Sequence, residues 1–245
     1  MKICLAQTKA IKGNIKSNIA NHKKWIDIAI FNKVDLIIFP ELSLTGYEPE
    51  LAKDLATDRN DSRLEEFQRI SDKNNITIGA GLPIKTDQGI SISILFFQPN
   101  LPRIIYSKQI LHSDELPYFI QGNGQLILNI KNMNVAPAIC YESLQHQHSE
   151  KAVQLGAELY VASVAKSQKG VEKAFKHFPG IAQKNAMPVL MCNSVGYCDN
   201  FDSTGQTAVW DKNGILTGQL NNKNEGILIF DTETKELIKI ENNIV

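Results

Sequence analysis

The chain has 245 residues, 43% of them apolar, with Phe and Tyr spread along its length. That composition supports a sizeable core and excludes a mostly disordered chain. Lys plus Arg equals Asp plus Glu at 26 each, so no charge excess points to nucleic acid or anionic lipid, and neither is expected as a partner.

Apolar runs of strand length alternate with helical patterns. Ile3–Gln7 is the first expected strand, and Ser17 then caps a helix with Ile19, His22, Ile26, Ala29, Ile30 and Lys33 on one stripe. Leu36–Phe39 is the second strand, and Ser62-x-x-Glu65 reads as a capping box before Leu64, Phe67 and Ile70. Strands are expected at Ile76–Ala80, Ile92–Gln98, Leu126–Ile130 and Val135–Cys140. Ser149 opens a helix through Ala152, Val153 and Leu155, stopped by Gly156. After strand Leu159–Ser163, a helix is placed over Pro179–Ala186 with Pro179 in its first turn. Val189–Asn193, Gln206–Trp210 and Ile227–Phe230 complete the set. Several runs are apolar without a break, as suits strands covered on both faces. The reading is a mixed α/β layered fold. No linker, charge block or low-complexity tract divides it, so one domain over 1–245 is expected.

Cys4, Cys140, Cys192 and Cys198 form no CxxC pair, and Cys192 and Cys198 read as packing or loop thiols. The opening apolar stretch is too short for a signal peptide, and no run approaches the ~18 apolar residues of a membrane span. A cytoplasmic protein with reduced thiols and no membrane partner is expected. His146-x-His148 lacks a third ligand of suitable spacing and reads as a solvated loop, so no metal is expected. Gly79-x-Gly81 is too short for a dinucleotide loop. His177 reads as packing or surface, whereas His112 lies near the segments described next. Trp25 and Trp210 suit core or interface positions.

Three segments place an ionisable group just after a strand region: Phe39-Pro40-Glu41, Tyr106-Ser107-Lys108, and Ile139-Cys140. Loops at strand ends present side chains while the sheet stays rigid. A thiol needs a cation or base nearby to become a nucleophile. A carboxylate can take that proton and later activate water, and an ammonium can hold an oxyanion.

In order along the chain, FPELSLTGY around Glu41, YSKQILHSDE around Lys108 and ICYE around Cys140 resemble the nitrilase superfamily of carbon–nitrogen hydrolases, in its amidase-like branch. Met1–Thr8, the stretch from Gly156 to Leu159, and the segments around Asn185–Val189 and Cys192–Gly196 extend the resemblance over almost the whole chain. It implies an α-β-β-α sandwich in which Cys140 is the nucleophile, Glu41 the general base and Lys108 the oxyanion stabiliser. It further implies Glu115 as a carboxylate that orients Lys108 or substrate. Tyr47 and Tyr118 sit beside these segments and are expected to line the pocket. The backbone N–H of Tyr141 could add a second oxyanion donor. The implied reaction is hydrolysis of a non-peptide C–N bond in a small molecule through a Cys140 thioester, with no cofactor.

Tyr141 stands where true nitrilases tend to carry Trp, which favours amide or N-carbamoyl substrates. No arginine lies beside the three segments, which lowers the expectation of carboxylate-tailed ones. The stretch Ser143–His148 departs from the family pattern, leaving substrate choice open. Two alternatives use the same scaffold: a thiol acyltransferase with an amine acceptor, and a catalytically silent binding protein. A homodimer is expected, paired through apolar surface on the helix near Pro179–Ala186 and the tail around Ile227.

Overall fold

In the computed structural model, which describes residues 1–242, the unbroken apolar runs become strands buried on both faces. In chain order the elements are β1 (Lys2–Gln7), α1 (Ile15–Phe31), β2 (Leu36–Ile38), α2 (Ala52–Leu55), α3 (Glu65–Asn74), β3 (Thr77–Thr86), β4 (Gly89–Phe97) and β5 (Ile104–Ser107). They continue as β6 (Leu128–Ile130), β7 (Met133–Ile139), α4 (His146–Gln154), β8 (Leu159–Val164), α5 (Gln168–Asn185), β9 (Val189–Asn193), β10 (Val195–Cys198) and β11 (Phe201–Thr204). The last are β12 (Ala208–Trp210), β13 (Leu216–Gln219), β14 (Gly226–Asp231) and β15 (Leu237–Glu241). One sheet has the order β15-β14-β1-β2-β3-β4-β5 and the other β13-β12-β9-β8-β7-β6, with β10 and β11 forming a separate ribbon.

Side chains alternate between cores with the period of two that a strand imposes. Ile3 and Leu5 of β1 and Leu36 and Ile38 of β2 enter a core shared with Val135, Ile139, Leu159, Val161 and Leu190 of the other sheet. Their neighbours Cys4, Ala6 and Ile37 face Trp25, Ile26 and Ala29 of α1. On the far side Ala136, Ala138, Tyr160 and Ala162 pack on Val171, Phe178 and Ile181 of α5. The layers are therefore helix, sheet, sheet, helix.

Strand direction decides where the loops gather. β1, β2 and β3 are parallel, and two antiparallel steps through β4 return β5 to the direction of β2. β7, β8 and β9 are likewise parallel. Ser163, in β8, donates to the carbonyl of Phe39, just past β2, at 2.8 Å. The loops after β2, β5, β7 and β8 thus open at one end of the sandwich.

Several local expectations change. Asn14, not Ser17, caps α1, its side chain accepting from the Ser17 N–H at 3.0 Å. Asp61 accepts from the Arg63 N–H at 2.9 Å and takes the capping role assigned to Ser62. α5 begins at Gln168, so Pro179 lies in its interior and not in its first turn. A proline there removes a backbone donor, and the helix is held by the packing of Val171, Ala174, Phe178, Ile181 and Ala182. Gly156 does follow α4, at φ +87°. Ile181, Ala182 and Ile227 are covered within this chain. Trp25 and Trp210 are also core residues. No helix among the described residues is long and apolar enough to cross a membrane.

Leu190 sits in the inter-sheet core with no exposure. Leu190→Ala is expected to lower the unfolding free energy by about 2–5 kcal/mol in a urea titration. A loss indistinguishable from zero would contradict this layer assignment.

Candidate active site

Glu41 occupies a tight turn after β2. The Ser43 N–H bonds to the Pro40 carbonyl at 3.1 Å and the Leu44 N–H to the Gly81 carbonyl at 2.9 Å. A Cβ at Gly81 would lie 2.4 Å from the Pro40 oxygen, so β3 can support the turn this closely only with glycine there. Gly79 is similarly wedged between Ile38 and Phe96. Both glycines serve backbone packing.

Lys108 follows β5 and is completely buried. Its ammonium donates to Glu41 Oε1 at 2.8 Å and to Glu115 Oε1 at 2.5 Å. Glu115 is fixed in turn by the Tyr47 hydroxyl at 3.0 Å and the His112 N–H at 2.8 Å. An ammonium has three protons, so one remains for another acceptor. Glu41 Oε2 is buried and has no hydrogen-bond partner among the described residues. The cluster therefore keeps one free donor on Lys108 and one free acceptor on Glu41.

Cys140 directly follows β7 at φ +43°, a left-handed conformation that costs energy in a non-glycine residue. The turn is held from both sides. Ser143 Oγ donates to the Cys140 carbonyl at 2.5 Å. Glu142, fully buried, accepts from the Ile139 N–H at 2.7 Å and the Tyr106 hydroxyl at 2.6 Å. Its second oxygen accepts from the backbone N–H groups of Gln109 and Ile110 at 2.6 and 3.2 Å. One carboxylate thus joins the Cys140 turn to the residues just after Lys108.

Burial pushes the Cys140 thiol up to about 11, and Glu41 adds to the rise, while Lys166 and Lys108 oppose it. The resting sulfur is thus protonated at neutral pH. Burial also raises Glu41, against the pull of Lys108, so that it holds a proton more readily than an exposed carboxylate. Burial alone would lower Lys108, but Glu41, Cys140 and Glu115 outweigh it and raise its pKa. Lys108 is a permanent cation here. Burial brings Glu142 up to about 7, against the bonds from Tyr106 and the backbone.

A pocket of about 280 Å³ opens over Cys140, walled by Tyr47, Glu115, Tyr141, Leu144, Lys166 and Phe201 among others. Glu115 and Cys140 line it with Tyr47 and Tyr141, and Glu41 and Lys108 lie behind them, joined to Glu115 and acting on Cys140. Tyr118 does not join them: it is exposed and lies outside the lining. His112 lines the rim and packs edge-on against Tyr141 at 5.1 Å. His146 and His148 lie in α4 rather than a loop, and His148 is buried between Tyr106 and Tyr160. No group of three metal-ligating side chains occurs among the described residues. Cys192 and Cys198 are free and buried. A larger hollow of about 580 Å³, near Met133, Met187 and Lys212, contains none of these groups.

Two residues escape the sequence reading. Glu142 stands within ICYE, but its clamping role needs the fold to be seen. Lys166 had the same signal as the others, an ionisable group following the strand run that ends at Val164.

A family model described as carbon–nitrogen hydrolase matches residues 2–240. The glutamine-dependent NAD(+) synthetase of Thermotoga maritima is 24% identical over 250 residues, which is 98% of this chain and 43% of that protein. The chain spans less than half the length of the NAD(+) synthetases it matches. A Staphylococcus aureus protein described as hydrolase in agr operon is 22% identical over 256 residues, covering 100% of this chain and 95% of that one. An amidase from Nesterenkonia sp. AN1, solved in complex with butyramide, superposes with a TM-score of 0.87 at 19% identity over 96% of this chain and 92% of that chain.

Replacing Lys108 with Met would leave Glu41 beside Glu115 in a buried site with no cation between them, where burial and repulsion raise the Glu41 carboxyl further. A carboxyl raised in the native state favours folding below its unfolded value and loses that contribution as pH climbs through the native one. Lys108→Met is therefore expected to cost about 3–5 kcal/mol near pH 7, with a smaller deficit near about pH 5, in paired urea titrations. An equal deficit at both pH values would contradict the buried cluster.

Proposed function

The chain belongs to the carbon–nitrogen hydrolase family, and from that premise we propose that it hydrolyses a non-peptide amide or N-carbamoyl bond in a small molecule, through a thioester on Cys140. The observation that carries this reading is the cluster at and behind the pocket lining. There a buried ammonium with one free proton and a buried carboxylate with one free oxygen adjoin a thiol on a strained turn.

Each group has a role that its surroundings suit. Glu41 Oε2 takes the Cys140 proton as sulfur attacks the carbonyl carbon. The raised pKa values of both groups make this a transfer concerted with attack, because a free thiolate is scarce at neutral pH. Lys108 donates its third proton to the oxyanion, with the Tyr141 N–H as a second donor. Glu41 returns the proton to the departing nitrogen, and ammonia or an amine leaves. Water, deprotonated by Glu41, then cleaves the thioester. Glu115 and Tyr47 position Lys108 throughout.

The size of the pocket suits a small acyl group. The amidase structure with butyramide and the glutamine-dependent synthetases put short aliphatic amides and glutamine first among compounds to try. A thiol acyltransferase would use the same thioester and differ only in the acceptor.

Ammonia release from short amides, glutamine, N-carbamoyl amines and nitriles is the test. The wild type is expected to turn over at least one amide or N-carbamoyl compound. Cys140→Ala is expected to lose at least about 10³-fold in kcat, the scale set by removing a covalent nucleophile. Acyl transfer to an added amine in preference to water would favour the acyltransferase. No turnover by folded protein, together with a Cys140 that iodoacetamide does not modify at any pH, would sink the hydrolase reading.

A further inference from the structure

A second ammonium reaches the nucleophile. Lys166, two residues past β8, is 5% exposed, and its Nζ donates to Cys140 Sγ at 3.6 Å. No carboxylate pairs with it among the described residues. An ammonium taken out of water gains most from an anion formed beside it, and the atom it meets is the sulfur that becomes negative when it is deprotonated.

The placement is built in from two sides. Asn193 accepts from the Lys166 N–H at 2.8 Å and donates to its carbonyl at 3.2 Å. Ser203 Oγ and the Thr204 N–H donate to the same carbonyl at 3.2 and 3.1 Å. The stem then runs along the first turn of α5 at Gly170. A Cβ there would lie 3.1 Å from Lys166 Cβ and 3.4 Å from its Cγ. Glycine is otherwise disfavoured within a helix, and here it leaves room for the lysine.

We propose that Lys166 is a catalytic residue: the cation that balances negative charge on the Cys140 sulfur as it is deprotonated and again as the thioester is cleaved. The inference rests on the hydrolase reading for the second of these moments, but not for the first. Charge balance gives the reason. At rest, Glu41 and Glu115 share Lys108. When the thiol proton moves to Glu41 Oε2, one negative charge moves from that carboxylate to sulfur. Lys108 remains paired with Glu115 and must also receive the oxyanion, so a separate cation at sulfur relieves it.

The electron accounting is closed. The sulfur lone pair forms the C–S bond while the carbonyl π pair moves to oxygen beside Lys108. That pair returns as the C–N bond breaks, and the nitrogen leaves with the proton held on Glu41. Water then adds, giving its proton to Glu41. The C–S bond breaks, and its electron pair returns to sulfur beside Lys166 until Glu41 hands the proton back. No oxidant, reductant or metal enters.

The charged and titratable groups acting on Cys140 come from three loops: Glu41 with Tyr47, Lys108 with Glu115, and Lys166, with His112, Asp114 and Lys173 at the rim. After burial and Glu41, which raise the thiol, Lys166 is the strongest influence that lowers it, ahead of Lys108.

The test is the rate of iodoacetamide alkylation of Cys140, read on its peptide by mass between about pH 6 and 9, for wild type, Lys166→Met, Lys166→Arg and Gly170→Ala. Cys4, Cys192 and Cys198, all buried, serve as internal controls for opening of the fold. In the wild type the rate is expected to climb about tenfold per pH unit without a plateau. Lys166→Met is expected to follow the same slope about tenfold or more below it, and Lys166→Arg to stay within about threefold of wild type because it keeps the charge. Gly170→Ala, which retains the lysine but crowds its stem, is expected to fall between them, and it decides the matter should Lys166→Met fail to fold. Profiles of Lys166→Met and Gly170→Ala that coincide with wild type would overturn the proposal. Alkylation needs no substrate, so that failure leaves the amide-panel result standing, and failure of the panel leaves this one standing.

Discussion

The rest of the structure depends on one constraint: an ammonium, Lys108, fully buried between Glu41 and Glu115. Taking such ions out of water costs several kcal/mol each, and geometry alone can offset it. That is why the supports are so specific. Gly81 lets β3 press on the Glu41 turn, Tyr47 and the His112 N–H fix Glu115, and Glu142 ties the segment after Lys108 to the Cys140 turn. Three apolar cores, one between the sheets and one beneath each helical layer, provide the rigid frame that keeps these charges in place.

The same burial determines what the site can do chemically. It raises the thiol and Glu41 alike, and in the proposed mechanism the proton passes from one to the other as sulfur meets a carbonyl. A resting thiolate would be oxidised and alkylated faster than a thiol that ionises only as the pH rises. Because Lys108 stays charged, it can meet an oxyanion without a change of protonation. Preorganised charge of this kind needs no reorganisation at the moment of reaction.

Much of this was legible in the residues, for identifiable reasons. β1, β2, β8 and β9 are buried on both faces and so appear as unbroken apolar runs. β13 and β15 went unread because they are short and partly exposed, with Leu216 and Ile238 facing solvent. The preference of proline for first turns places a helix start at Pro179, but the apolar face of α5 outweighs that local preference. The residues Glu41, Lys108 and Cys140 stood out through their flanks and the family those flanks resemble, although their convergence depends on strand direction. Lys166 carried the same local signal without a recognisable flank. The absence of arginine near the three segments was an incomplete guide to pocket charge, since the second cation arrives from a fourth loop. Tyr118 and Phe119 show the limit of proximity in sequence: adjacent in the chain, the first faces solvent and the second the core.

The most direct test of the central claim, that this cluster builds a thioester on Cys140, is an acid-quenched time course of the first turnover with an amide the enzyme cleaves. Ammonia and the Cys140 peptide mass are followed together. The account requires ammonia to appear ahead of the carboxylic acid, with a matching fraction of that peptide carrying the acyl group and losing it as the acid forms. Ammonia running ahead of the acid while the Cys140 peptide stays unmodified would contradict it.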